Sequence, residues 1–246
     1  MSLPSVWKAG GVARTLVLEV LMQGVLVHEI MHTRQFYFVT PRLAELNSLY
    51  HLPDDINEDS LQDHFAGDPV YVRAYEAERD LLFAAAAAPD EARARGSARQ
   101  ALTLMRMRRA RWFVGEEAKW RPLGDIFLTM EGLGQWAGLR SIVGGHGRKL
   151  DYDATLKAWR RGGRFWTQDE GLALFLTIDR LYPGWQRMAF SPRPALAEAL
   201  LARAAGVSVS RSGNSPLSAS FTPSAPHARP RGPASNTINR PGSQPG

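Results

Sequence analysis

Apolar residues recur every three to four positions along most of the first 204 residues, which is the spacing of one face of an α-helix. Proline and aspartate punctuate these runs at positions typical of helix starts, as in Asp68-Pro69 and Pro89-Asp90. Alanine, leucine, arginine and glutamate dominate the runs, and β-branched residues are few. The pattern predicts helices at about residues 12–36, 69–87, 90–115, 123–140, 152–161, 168–182 and 193–205.

Strand signals are scarce in the same pattern. Residues 36–39 form the best short candidate for a strand. Residues 40–67 contain Pro41, Pro53 and several aspartates, and they predict a loop with at most a turn or two of helix. We therefore expect a mainly α protein with little or no sheet.

The last 42 residues, 205–246, differ from the rest of the chain in composition. They are rich in Ser, Pro, Gly and Arg and nearly devoid of large apolar side chains, so they predict a disordered tail. The formal charge is +6, and four tail arginines with no tail carboxylate account for most of it. The expected organisation is thus a nearly neutral helical domain over 1–204 and a basic tail over 205–246, with no signal for specific nucleic-acid binding or for an oligomeric state.

The chain contains no cysteine, which excludes disulfides, cysteine zinc fingers, thiol nucleophiles and iron–sulfur clusters. Any metal must therefore bind histidine and carboxylate. The apolar run at 15–27 is interrupted by Glu19 and Gln23 and has no small-residue cleavage site, so it predicts a buried helix and neither a signal peptide nor a transmembrane segment. If the chain start is authentic, a cytoplasmic location is expected.

The first predicted helix carries a zinc-binding motif. Residues 28–32 read H-E-I-M-H, which matches the H-E-x-x-H pattern. Four residues span just over one helical turn, so His28 and His32 share a face and can each offer a ring nitrogen to one zinc ion. Glu29 lies about 100° around the helix, where it can act on a water molecule activated by the metal without ligating the metal itself. The motif predicts a zinc site with Glu29 as general base.

A purely structural role is the alternative for these residues, with both histidines hydrogen-bonded in the core and Glu29 solvated. The residues that precede the motif favour metal binding. They include Leu21, Val25 and Leu26, and ionisable groups in such an apolar setting are costly unless they are paired or metal-bound.

A catalytic zinc site needs a third protein ligand. Glu131 is the best candidate, because it is a lone carboxylate in an apolar helix and Gly132, Gly134 and Gly138 would allow that helix to approach the motif helix closely. A glycine-rich packing helix with an exposed Glu131 is the alternative. Other possible third ligands, in falling order, are Glu76, Glu78, His146 and Asp80.

HEIMHTRQ at 28–35 combined with EGLGQWAG at 131–138 resembles the gluzincin group of zinc metallopeptidases. The chain is also similar, over about 14–190, to poorly characterised bacterial zincin-like proteins that share four ordered features. These are H-E-x-x-H-x-x-Q, a Glu-rich helix followed by Ala and Arg (76–102), E-G-x-x-x-W/Y (131–136) and D-R-L-x-P-G-W (179–185). The resemblance implies a zincin-like helical domain with His28, His32 and Glu131 as zinc ligands and Glu29 as general base.

Other residues with suitable chemistry have weaker signals. Tyr152, His146, Arg140 and Tyr75 could each stabilise an oxyanion, and the spacing favours none of them. Asp179 could orient a zinc-bound histidine, although a surface salt bridge with Arg180 or Arg187 is the simpler expectation.

The sequence argues against a di-iron site and against nucleic-acid binding. A di-iron carboxylate site would need a second Glu-x-x-His, which the sequence lacks. Four arginines lie close together in one predicted helix, and we expect them to form a solvated face with partners such as Glu116 and Glu117. They are Arg106, Arg108, Arg109 and Arg111.

The residues together predict a zinc-dependent hydrolase that acts on peptide or protein substrates. The alternative is a non-catalytic protein on the same scaffold that binds a metal or a partner.

Overall fold

The computed structural model describes residues 18–144 and 150–208. These residues form helices and no strand, which confirms the mainly α prediction. The helices are α1 (Leu18–Tyr50), α2 (Ser60–Phe65), α3 (Pro69–Ala87), α4 (Glu91–Trp112), α5 (Trp120–Val143), α6 (Tyr152–Trp159), α7 (Trp166–Leu181), α8 (Gln186–Ala189) and α9 (Ala197–Ala204), with 3-10 turns at Gly115–Lys119 and Arg161–Gly163.

Helix α1 extends well beyond its predicted end at residue 36. It continues through Pro41 to Tyr50, so the strand predicted at 36–39 is wrong, as is the first part of the loop predicted at 40–67. An interior proline costs a helix about 3 kcal/mol because it removes a hydrogen bond and crowds the preceding turn. Here Phe38, Val39 and Leu46 are buried in an apolar cluster that includes residues of α5, and this packing offsets the cost.

Helix starts follow the sequence pattern closely. Helix α3 spans the predicted residues 69–87, with Pro69 in its first turn and the Asp68 carboxylate accepting hydrogen bonds from the backbone N–H groups of Val70 and Tyr71. Asp90 caps α4 in the same way by accepting from the N–H of Arg93. Both aspartates satisfy N–H groups that have no partner within the helix.

Helices α5 and α7 are buried on all sides and cross in the centre of the molecule. Their backbones meet where Gly132 faces Gly171. A Cβ on Gly132 would lie 2.7 Å from the carbonyl oxygen of Gly171, so neither position has room for a side chain. The helices therefore pack with their main chains in direct contact.

Two of the four clustered arginines are buried, which corrects the prediction of a solvated face. Arg108 donates hydrogen bonds to Glu78 (2.8 and 3.0 Å) and Glu170 (3.0 Å), and Arg109 donates to Glu198 (2.7 Å). These carboxylates belong to α3, α7 and α9, so pairing along the arginines' own helix could not reveal them. Buried guanidinium groups are tolerated here because Arg108 is paired with the Glu78 carboxylate and Arg109 with that of Glu198.

The folded part of the chain continues past the predicted boundary at residue 204, since Ala205 is fully buried and the N–H of Val207 donates to the carbonyl of Ala202.

The predicted tail lies outside the described residues from 209 onward, as do residues 12–17 of the first predicted helix. Within the described ranges, no helix has both the length and the apolar character needed to cross a bilayer.

Candidate metal centre

The two motif histidines face α5, which lies alongside the first half of α1. Close approach of the two helices depends on small residues, as the sequence predicted. A Cβ on Gly134 would lie 2.8 Å from the His28 ring, and a Cβ on Gly138 would lie 2.8 Å from the carbonyl oxygen of Gly24. Because these positions are glycine, the His28 ring packs directly against the backbone of α5.

Glu131 of α5 completes a compact group with the two histidines. Nε2 of His28 lies 2.9 Å from Nε2 of His32, and the Glu131 carboxylate oxygens lie 3.3 Å from the former and 3.2 Å from the latter. His28 is 6% exposed, Glu131 is 2% exposed and His32 is half-buried. The structure thus brings together the three residues predicted from the sequence, and among the described residues no other group of three potential ligands meets in this way.

The spacing of these atoms fits a metal ion. A tetrahedral zinc ion with ligand bonds of about 2.0–2.1 Å separates its ligand atoms by about 3.3–3.4 Å. The observed separations of 2.9 to 3.3 Å are close to this value. All three atoms can therefore lie on one side of a single ion and leave a fourth position open.

Buried polar atoms of this group lack hydrogen-bond partners. Oε2 of Glu131 lies near His28 but makes no hydrogen bond, and Nδ1 of His28 also has none. Burial opposes ionisation of Glu131, yet the neighbouring imidazoles outweigh it and lower the pKa of Glu131 to about 2. A carboxylate that stays charged in a buried site with an unsatisfied oxygen is suited to bind a cation.

Burial also lowers the pKa of His32, but Glu131 more than offsets this effect and the pKa is raised above its ordinary value. Protons and a metal ion would compete for Nε2 of His32, which is the nitrogen that faces Glu131.

Gln35 holds His32 in place from the opposite side of its ring. The Gln35 Nε2 group donates to the carbonyls of Met130 (3.2 Å) and Thr129 (3.5 Å), so Oε1 points at Nδ1 of His32, 3.0 Å away. Nδ1 must then carry the ring proton, and the lone pair of Nε2 is free for a metal. The H-E-x-x-H pattern does not include Gln35, so the sequence did not predict its role. Its position about one turn after His32, on the same side of the helix, could have suggested a contact with that histidine.

Glu29 is exposed and borders a pocket of about 110 Å³ beside this group. The other residues that line the pocket come from four helices: Val25, His28, Gln135, Trp159 and Gln168. The candidate base and a candidate metal ligand therefore share one cavity, which is where a substrate carbonyl and an attacking water would have to meet.

The alternative third ligands do not join this group. Glu78 is bound to Arg108, Glu76 and Asp80 are exposed on α3, and His146 lies outside the described residues.

The oxyanion candidates that the structure describes do not line the pocket either. Tyr75 is buried and donates to the carbonyl of Trp166, Tyr152 is 43% exposed, and Arg140 lies 3.7 Å from Asp179. Asp179 itself accepts a hydrogen bond from the Trp185 indole, so it neither orients a motif histidine nor pairs with Arg180 or Arg187 as expected.

No protein-family model, curated protein or solved structure matches this chain. The resemblance to gluzincins therefore stays a prediction, carried by the motif residues. The described fold and the His28–His32–Glu131 geometry are the observations on which a function has to be built.

Proposed function

We propose that this protein is a zinc-dependent hydrolase of the peptidase class. The single observation that carries the proposal is the His28–His32–Glu131 group, with its ligand atoms 2.9 to 3.3 Å apart, at the edge of a pocket that also contains Glu29. A structural zinc site has no use for a carboxylate in an adjoining open cavity, whereas a hydrolytic site requires one.

Each residue has a separate task in this proposal. His28, His32 and Glu131 would hold the ion, and Gln35 would keep His32 in the tautomer that can bind it. Zinc at such a site supplies a Lewis acid that polarises a carbonyl and makes water acidic near neutral pH. Glu29 would take the proton from the attacking water and deliver it to the leaving amine.

The fold constrains how a peptide could bind. Zincins commonly align an extended peptide along the edge of a sheet, but no strand is present in residues 18–144 and 150–208. Within the described residues, a substrate would instead be held by side chains that line the pocket and by the exposed part of α1. The proposal therefore concerns short or flexible substrates, whose scissile bond can reach a site between helices.

The proposal is tested by metal analysis of the full chain together with Glu29→Gln. We expect one zinc ion per chain in both proteins and hydrolysis of fluorescein-labelled casein by the wild type alone. Glu19→Gln is the matched control, because Glu19 is exposed on the same helix and lies outside the pocket. A wild type that binds no zinc, or a Glu29→Gln variant as active as the wild type, contradicts the proposal.

One observation favours a second candidate, a non-catalytic metal protein. The three ligands and Gln35 connect α1 to α5, so an ion here would also fasten the two helices together. In that case zinc removal lowers the melting temperature, while no assay distinguishes Glu29→Gln from the wild type.

A further inference from the structure

The pocket beside the candidate metal centre extends away from the ligands toward a pair of glutamine side chains. Gln135 follows Glu131 by four residues of α5, just over one turn, so it lies on the same side of that helix, about 6 Å further along. Gln168 of α7 faces it across the pocket, and Trp159 of α6 forms the remaining wall. One ligand molecule could therefore place one group at the metal and a second group at the glutamines, with a short spacer between the two groups.

The size of the pocket limits what it can hold. Its volume of about 110 Å³ is on the scale of one small functional group.

The charges around the pocket limit the ligand further. Among the described residues, no lysine or arginine lines it, and Glu29 is its acidic residue. Arg160 lines the adjoining small cavity, but its guanidinium group is bound to both carboxylate oxygens of Asp169, at 2.8 and 3.0 Å. A carboxylate or phosphate in the glutamine end of the pocket would meet no free cationic side chain from the described part of the chain and would be repelled by Glu29.

The two glutamines offer the hydrogen-bonding groups of an amide. Nε2 of Gln135 donates to Oε1 of Gln168 at 3.1 Å, and neither side chain forms another hydrogen bond within the described part of the chain. A carboxamide pair joined by one hydrogen bond leaves the oxygen of the donor amide and the NH2 group of the acceptor amide without a partner. Here the free groups are the Oε1 of Gln135 and the Nε2 of Gln168.

We propose that the Gln135–Gln168 pair is a substrate subsite for an uncharged carboxamide group. Gln168 donates to the carbonyl oxygen of that group, and Gln135 accepts from its N–H. This inference rests on the proposed hydrolase function and adds the substrate class. The bound molecule carries a peptide or side-chain amide next to its scissile bond, and it is not recognised here through a terminal carboxylate or a phosphate.

The test uses two hydroxamates that differ only at the end expected to reach the glutamines. Hydroxamates bind active-site zinc, so the monohydroxamate of succinamic acid and that of succinic acid share one anchor and one two-carbon spacer. One ends in a carboxamide and the other in a carboxylate. Their dissociation constants, and that of acetohydroxamate, are measured by titration calorimetry on the zinc-loaded full chain.

We expect the wild type to bind the carboxamide probe about tenfold more tightly than the carboxylate probe, which is the scale of one or two hydrogen bonds. Gln168→Ala should remove this preference while its affinity for acetohydroxamate and its zinc content stay unchanged. Gln100→Ala, at an exposed position on α4, should retain the preference.

Two results would overturn the inference. One is acetohydroxamate binding to the wild type with no preference between the two longer probes. The other is a preference that survives in Gln168→Ala. If instead none of the three hydroxamates binds and no zinc is present, the proposed hydrolase function itself is wrong.

Discussion

Oε1 of Gln35 lies 3.0 Å from Nδ1 of His32, while Nδ1 of the other motif histidine, His28, has no hydrogen-bond partner. The two candidate ligands are therefore held by different means. His32 is fixed by an amide that also binds carbonyls of α5, whereas His28 is fixed by contact with the backbone at Gly134. Each means of support can be removed separately.

Replacing Gln35 with methionine tests the support of His32. The side chain keeps its size but loses all three of its hydrogen bonds, so the His32 ring can rotate and its tautomer is no longer set. Loss of such a supporting hydrogen bond weakens metal binding by about 10–100-fold. Zinc affinity is measured by chelator competition. Gln23→Met is the control, because Gln23 also donates to a carbonyl of α5, that of Ser141, away from the metal centre. Equal affinities in the two variants would refute the assigned role.

Replacing Gly134 with alanine tests the support of His28. The new Cβ would lie 2.8 Å from Nδ1 of His28. Because the His28 ring is packed and cannot bend away like a flexible side-chain end, the whole ring must shift. We expect zinc affinity to fall at least tenfold, since ligands displaced by about 1 Å no longer share one ion. Gly96→Ala on α4 is the control, because a Cβ at that position would have no neighbouring atom within 4 Å. That variant should bind zinc normally and be more stable by about 0.5–1 kcal/mol.

The ligand assignment is tested by removing one ligand at a time. His28→Ala, His32→Ala and Glu131→Ala should each lose stoichiometric zinc, because three protein ligands are the minimum for a tight catalytic site. His64→Ala is the control, since His64 is partly exposed and pairs with Glu117 elsewhere in the molecule. Zinc content is read by elemental analysis after dialysis. Full retention by Glu131→Ala alone would show that the third ligand is misassigned.

Glu170 should make the protein less stable as the pH rises. Burial and then the nearby Glu78 hold the pKa of Glu170 well above its ordinary value, so the folded state keeps a proton that the unfolded state releases above about pH 4.3. This contribution to stability is complete below that pH and is lost as the pH rises toward the raised pKa. Glu170→Gln carries a permanently neutral group of the same shape and should lack the dependence.

The prediction is checked by measuring the free energy of unfolding in urea between about pH 4.5 and pH 9. This range begins near the ordinary pKa of glutamate, and a chelator is present to keep metal ions from contributing. The variant should gain stability relative to the wild type as the pH rises, by up to about 1.4 kcal/mol per pH unit. Glu91→Gln, at an exposed residue that pairs with Arg95, should follow the wild type. Parallel curves for Glu170→Gln and the wild type would contradict the assignment.

Local signals in the sequence predicted the helix starts and the three candidate ligands. Asp68-Pro69 locates the start of α3 because capping depends on adjacent residues, and the spacing of His28 and His32 follows from helical geometry alone. Glu131 could be identified because a lone carboxylate among apolar residues and glycines is unusual in a helix.

Contacts between distant parts of the chain could not be predicted in this way. Helix α1 continues through Pro41 because Phe38 and Val39 pack against helices that lie far away in sequence. Arg108 is buried because Glu78 and Glu170 converge on it from two other helices. The pocket is formed by four helices, so neither Gln135 nor Gln168 carries a signal in its own segment.

The main-chain contact between Gly132 and Gly171 also affects how the metal centre could respond to different ions. With no side chains between them, α5 has no room to move toward α7, and the backbone at Glu131, next to Gly132 in sequence, is held close to α7. Both histidines lie on α1, whose opposite face is open to solvent at Leu26 and Ile30. If the proposed metal centre is occupied, adjustment of the backbone to ions of larger or smaller radius would therefore fall to α1 and not to α5.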